Sequence, residues 1–464
     1  MFDKDVYISR RKQFAEELKS GSYLFLGNSE SPMNYADNTY HFRQDSTFLY
    51  YFGINSPDLA AIIDLDNEKV MLFGDEMSID DIVWMGRQKT LKEKADESGI
   101  DRVYLAKSLK TTLLELTKGS QVNFLPPYRA DNKIRLAELL SVQVGQLSAL
   151  ASVPFIKAVV AQRSVKSELE IQEIHHAVST SVDMQMIAMQ MSKPGMKEST
   201  IAAALQEIAV SADVNLAYPA ILTVNGQILH NHYHGNILQD GDLVLNDSGA
   251  ESPSGYAGDL TRTFPAGKKF SSIQKEMYEI VLNSYRKAAA TLKPGVRYLD
   301  VHFEACLTLV EGLKALGLMK GDMKEAVQQG AHALFFQCGT GHMMGLDVHD
   351  MEDLGEQYVG YSDQLIKNTS QFGLKSLRLG KELQAGYVLT VEPGLYFIPE
   401  LIEQWKAEKH LSSFINYDEV EKFKSFGGIR VEDDFVITEE GSAILGKPLA
   451  ISVDDIEQIR SNAF

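Results

Sequence analysis

Cysteine is nearly absent, with two residues, Cys306 and Cys338, in a chain of 464. Two thiols cannot build a disulfide framework, and they fit a reducing compartment. Long apolar runs are missing too: none approaches the roughly 18 residues that span a bilayer. The start, MFDKDVYISRRKQFAEELKSG, lacks the apolar stretch and small-residue cleavage site of a secretory signal. A soluble, cytoplasmic protein with no membrane partner is therefore expected. Positive charge is in deficit, with 45 Lys and Arg against 63 Asp and Glu and a net charge of −18. Such a surface repels phosphate backbones, so nucleic acid is not expected as a partner. What remains is ordinary globular composition, 44% hydrophobic and 23% charged, long enough for two or three domains.

The first ~150 residues alternate in type. SRRKQFAEEL reads as helix, SYLFLGN, LAAIIDLD and KVMLFG as strands, and SIDDIVWMG, LKEKADESG and SLKTTLLELTKG as helices or their starts. This alternation predicts a layered α/β domain over residues 1–155. After Lys166, Ser167 and Glu170 form a capping-box pattern, and Ile171, Ile174, Val178 and Val182 follow on one helical face. That helix opens a second domain, expected over 160–464. Inside it, SKPGMKESTIAAAL and LKPGVRYLDVHFEA begin one hundred residues apart, at Ser192 and Leu292. Each stands between helical patterns, and each half continues into strand-like runs: PAILTVNG and GDLVLND, then GYVLTVEPGLYF and GIRVEDDFVIT. A duplicated helix-and-sheet domain follows, with strands of both halves meeting.

Several of those runs carry charge where strands bury apolar side chains. Two-residue alternation puts Asp247 on the face of Leu243 and Leu245, Glu392 on that of Val388 and Thr390, and Arg430 with Glu432. Asp259 shares its run with Thr261 and Thr263, and the glycine-rich CGTGHMMGLDVHD supplies His342 and His349. If the four carboxylates converge, each pair at about 4 Å costs roughly 4 kcal/mol at an effective dielectric of 20. Protonation of some of them is one remedy, and binding cations is the other. Two divalent ions would balance four carboxylates, share a hydroxide at neutral pH and polarise a carbonyl, which is hydrolytic chemistry. Hard oxygen donors with one imidazole suit Mn²⁺, Co²⁺, Fe²⁺ or Zn²⁺. A two-carboxylate glycosidase is the competing reading, but it explains neither His342 nor the additional acids.

On these residues the chain resembles the pita-bread metallopeptidases, in their aminopeptidase P and prolidase branch. The matching stretches are ILHNHY, DGDLVLNDSGAESPSGYAGDLTRTFP, GTGHMMGLDVHD, LTVEPGLYF and GGIRVEDDFVIT, with HFRQDSTFLYYFGINSPD and VWMGR in the first half. The resemblance implies an α/β (α+β) architecture, with a creatinase-like N-terminal domain before a pita-bread catalytic domain. It implies five metal ligands, Asp247, Asp259, His342, Glu392 and Glu432, with Asp259 and Glu432 bridging two ions, commonly Mn²⁺. His230 and His349 take the positions of substrate-contacting histidines, and Arg430 that of an arginine beside the metal glutamate. Glu392 doubles as proton shuttle, and Trp84 resembles a tryptophan that reaches a neighbouring subunit's site in some oligomeric members. The implied reaction is hydrolysis of the bond between an N-terminal residue and a following proline, on peptides with proline second, by a homodimer or homotetramer. A prolidase restricted to Xaa-Pro dipeptides shares every ligand. Metal-free amidinohydrolases and non-catalytic binding relatives of the fold are rivals that the complete ligand set disfavours. One departure stands out: Cys338 occupies the position of the first histidine in the family's HGxGH pattern.

Overall fold

The computed structural model describes residues 1–117 and 122–464. Lys118 and Gly119, the end of the helix expected over 108–119, lie outside them. The chain divides into two compact units, Met1–Arg163 with Met351–Tyr358, and Ser164–Asp350 with Val359–Phe464.

The first unit is built on a five-stranded sheet of β1 (Ser22–Leu26), β2 (Ala60–Asp64), β3 (Lys69–Gly74), β4 (Arg102–Leu105) and β5 (Asn123–Phe124), in the order β4-β3-β2-β1-β5. The central three strands form an antiparallel meander, and the outer two pair in parallel. Leu24, Ile62, Met71 and Phe73 from the strands pack with Leu109, Leu113 and Leu136 from helices. A second cluster joins Phe14, Tyr23 and Phe25 edge-on to Phe155. Phe155 stands on the helix Val153–Ser164, so that helix stays with the first unit, which runs past the expected end at residue 155.

The second unit repeats one motif. The helices Glu168–Met191 and Glu198–Ser211 precede β6 (Ile221–Thr223), β7 (Leu243–Ser248) and β8 (Leu260–Pro265), an antiparallel sheet. Ser272–Ala290 and Tyr298–Ala315 precede β9 (Val388–Val391), β10 (Gly394–Tyr396), β11 (Gly428–Arg430), β12 (Asp433–Ile437) and β13 (Ser442–Ile444). Both halves of the expected capping box at Ser167 and Glu170 are made. The two KPG turns also serve matched ends. Gly195 and Gly295 adopt φ of +88° and +84°, a region that favours glycine, and their N–H groups donate to the carbonyls of Leu238 and Leu383. Leu238 opens LQDGDLVLND and Leu383 opens LQAGYVLTVE, so Asp247 and Glu392 are equivalent residues, each nine positions downstream. The halves join where the Glu432 N–H donates to the Thr261 carbonyl at 3.1 Å and the Thr263 hydroxyl to the Arg430 carbonyl at 3.0 Å.

The expectation that all four acids lie within strands is corrected. Only Asp247 does; Asp259 precedes β8, Glu392 follows β9, and Glu432 separates β11 from β12. GIRVEDDFVIT is two strands because it changes partners, β11 pairing with β10 and β12 with β9. GYVLTVEPGLYF breaks at Pro393, which has no N–H to donate to a ladder.

Candidate active site

Those strand ends surround a cavity of about 200 Å³ in the second unit. Asp247, Asp259, His342, Glu392 and Glu432 all line it, together with His230, His349, Arg430, Cys338, Tyr218 and Arg378. Donor atoms of Asp259, His342 and Glu432 lie within 4.8 Å of one another. His342 Nε2 stands 3.4 Å from Asp259 Oδ2 and 3.6 Å from Glu392 Oε1. Its Nδ1 faces the Met343 carbonyl at 3.1 Å, and a carbonyl only accepts, so the ring proton sits on Nδ1 and Nε2 turns its lone pair to the acids. The His349 ring packs edge-on against His342, 4.4 Å between centroids.

Three of the acids are held in place by hydrogen bonds. The Thr261 hydroxyl donates to Glu432 Oε2 at 2.6 Å, and the Asp259 N–H donates to Asp434 Oδ2 at 2.9 Å. Tyr218 places its hydroxyl 2.6 Å from Asp247 Oδ1 and 2.5 Å from Asp259 Oδ1. One hydroxyl has one proton to give, so it cannot satisfy both carboxylates as anions. Arg430 pairs with Asp247 through Nη2 and donates from Nη1 to the Tyr396 hydroxyl at 2.8 Å. Arg430 Nε also donates to the Thr261 hydroxyl at 3.2 Å, so the arginine stands beside Glu432 while its ion pair is with the first aspartate.

Burial dominates the electrostatics. It pushes Glu392 up to about 8 and Glu432 well above the usual carboxylate range, with Asp259 adding to both. Asp247 and Asp259 are raised for the same reason, against the pull of Arg430 and of the Tyr218 hydroxyl respectively. The site thus holds more negative charge than its own groups neutralise. A cluster of carboxylate oxygens with one oriented imidazole nitrogen is a donor set for hard divalent cations. Burial and Arg430 push the His230 imidazole below its usual value, and burial pushes the Cys338 thiol up to about 12.

Trp84 belongs to the first unit, where it stands 85% exposed on the helix Ile79–Met85. Sequence reasoning missed three residues. Asp434 was within reach, because alternation from Glu432 puts it on the same face. Tyr218 and Arg378 stand in no recognisable pattern and meet the acids only through folding.

Residues 170–439 match the model of metallopeptidase family M24, which is more than half of the chain. The chain belongs to that family. Residues 7–124 match the aminopeptidase P N-terminal domain, so the architecture is the mixed α/β N-terminal domain followed by the pita-bread domain that the resemblance implied. The chain is 31% identical to an Xaa-Pro aminopeptidase of Escherichia coli K12, over 97% of this chain and 96% of that one. It is 30% identical to a human Xaa-Pro dipeptidase, over 95% of this chain and 90% of that one. Among solved structures, a zinc-substituted E. coli aminopeptidase P in complex with product superposes with a TM-score of 0.81 at 29% identity, covering 100% of this chain and 99% of the other. The protein is a hydrolase of the Xaa-Pro peptidase family and carries a divalent-metal cofactor.

Proposed function

We propose that this M24 enzyme cleaves the bond between an N-terminal residue and a following proline, as an Xaa-Pro aminopeptidase acting on peptides with proline second. The observation that carries the reading is the convergence of five donor side chains, four acids in or beside strands and one loop histidine, on one cavity that His230, His232 and His349 also line. Asp247, Asp259, His342, Glu392 and Glu432 would hold two divalent ions; Mn²⁺ is the first choice, with Co²⁺, Zn²⁺ and Fe²⁺ as alternatives. When bound, such ions supply an acidified water at neutral pH and polarise a carbonyl. The protein's own residues do the rest. Thr261 fixes the Glu432 carboxylate, Tyr218 those of Asp247 and Asp259, and Asp434 the Asp259 backbone, before substrate arrives. The His349 imidazole donates a hydrogen bond to the oxygen of the scissile carbonyl, and His230 orients the peptide. The Glu392 side chain is 18% exposed, more than the 8% of Asp259 and the 11% of Asp247, so it is the acid best placed to pass a proton to the departing proline nitrogen.

A dipeptidase reading is favoured by one feature. Arg378 lines the cavity, and its positive charge is felt by both His230 and Glu392. A guanidinium there suits a substrate carboxylate, and in a dipeptide that group lies one residue beyond the scissile bond. The oligomer also belongs to the proposal. Ile79, Val83, Trp84 and Met85 share a short helix with no buried residue, an apolar patch of the kind that marks an interface. Two free thiols fit the cytoplasm. The test is hydrolysis of Xaa-Pro dipeptides and Xaa-Pro-Xaa tripeptides after dialysis against chelator, with and without Mn²⁺. Tripeptide cleavage that returns with Mn²⁺ supports the proposal, cleavage of dipeptides alone selects the second reading, and no cleavage at full metal occupancy refutes both.

A further inference from the structure

A second cluster of metal-ligating atoms lies outside this machinery. His302 and Cys306 are one helical turn apart on Tyr298–Ala315, a spacing that puts both on one face. The short helix Ala331–Leu334 brings His332 to the same point. All three are essentially inaccessible, at 0%, 0% and 1% exposure. Their donor atoms lie within 4.8 Å of one another. His302 Nε2 is 3.4 Å from Cys306 Sγ, and His302 Nδ1 faces the Thr340 hydroxyl at 2.8 Å.

His332 is the anomaly. Neither ring nitrogen has a hydrogen-bond partner. The Val327 carbonyl is the one polar group that acts on the ring, and it can engage only one of the two nitrogens. A buried imidazole nitrogen without a partner gives up the hydrogen bond it had in water, worth about 1–3 kcal/mol. A metal ion would supply the missing partner.

We propose that His302, Cys306 and His332 form a second metal site, distinct from the carboxylate centre, for a soft transition-metal ion such as Zn²⁺ or Cu⁺. The donor chemistry separates the two sites: carboxylates favour hard ions, whereas a thiolate with two imidazoles favours soft ones. The geometry also fits. Bonds of about 2.0 Å to nitrogen and 2.3 Å to sulfur in a tetrahedral arrangement put those atoms about 3.5 Å apart, close to the 3.4 Å observed. Burial holds both imidazoles neutral, at about 3 for His302 and 4 for His332, so both can ligate. The thiol would release its proton to the ion on binding. The site is linked to the catalytic one through Thr340, whose carbonyl accepts the Glu392 N–H at 2.8 Å.

The probe is Co²⁺, titrated into the full-length chain stripped of metal and kept reduced. Cobalt also enters oxygen-donor sites, but only a thiolate ligand adds a sulfur-to-cobalt charge-transfer band in the near ultraviolet. The band is expected in the wild type and in Cys338→Ser, lost in Cys306→Ser and His332→Gln, and bleached by one equivalent of Zn²⁺ beyond those the carboxylate centre takes. The two substitutions sit on different helices, so misfolding of one still leaves the other to read. Absence of the band in the wild type, its survival in folded Cys306→Ser, or its loss in Cys338→Ser would overturn the proposal.

Discussion

Removing the divalent ions should turn the catalytic cavity into a pH-dependent weakness. Glu392 titrates near 4.5 when unfolded and is pushed up to about 8 by burial in the folded chain. Its folded-state pKa is the higher one, so its contribution to stability is fully present below about pH 4.5 and is lost as pH rises toward 8. One proton difference gives a slope of at most about 1.4 kcal/mol per pH unit, and the whole interval amounts to on the order of 5 kcal/mol. A domain is typically stable by only about 5–15 kcal/mol, so the effect is large on that scale. The assay is urea unfolding of metal-stripped protein from about pH 5 to about pH 8, for the wild type and Glu392→Gln, with the variant's curve subtracted to remove the general repulsion of an acidic chain. The wild type should lose about 1 kcal/mol per pH unit more than the variant, and Mn²⁺ added at the upper end should restore it. Parallel curves, or no stabilisation by Mn²⁺ at the alkaline end, would refute the argument that these carboxylates are buried together with more negative charge than Arg430 offsets.

Three further outcomes follow from the structure. Cys338 lines the cavity with its thiol pushed up to about 12, and the thiolate is the reactive form; activity should survive iodoacetamide at neutral pH, and rapid inactivation would show that the thiol ionises. Lys166 Nζ pairs with Asp350 Oδ2 at 2.8 Å with both side chains 1% exposed, so Lys166→Met should cost about 3–5 kcal/mol in chemical denaturation and a compensating Asp350→Leu should recover most of it; a change below about 1 kcal/mol for Lys166→Met would contradict this. Val83, 73% exposed on the unburied helix Ile79–Met85, should be an interface residue, and sedimentation of Val83→Glu should show a smaller species than the wild type; identical profiles would remove that helix from the interface.

How much of this was legible in the sequence depended on whether a residue's role is local. Asp247 announced itself because two-residue alternation inside a real strand put a carboxylate on a buried face. The KPG turns were legible because each ends one helix and begins another, and their deeper match appeared only in three dimensions, in the carbonyls of Leu238 and Leu383 that both glycines meet. Glu392 and Glu432 were found for partly the wrong reason: alternation placed them in continuous strands, whereas both occupy the breaks where the backbone leaves one ladder for another. Arg430 was located, but its partner was not, since Asp247 lies far away in sequence and no periodicity encodes which acid a long side chain reaches. Tyr218 and Arg378 were invisible for the same reason. His302 and Cys306 share a helical face, yet their significance needs His332, which only the packing of another element provides.

The most direct test of the central claim is anomalous diffraction from crystals of the full-length chain grown with Mn²⁺, collected on both sides of the manganese edge. Two manganese peaks among Asp247, Asp259, His342, Glu392 and Glu432 are predicted. A single peak there, or none with the five side chains otherwise in place, would contradict it.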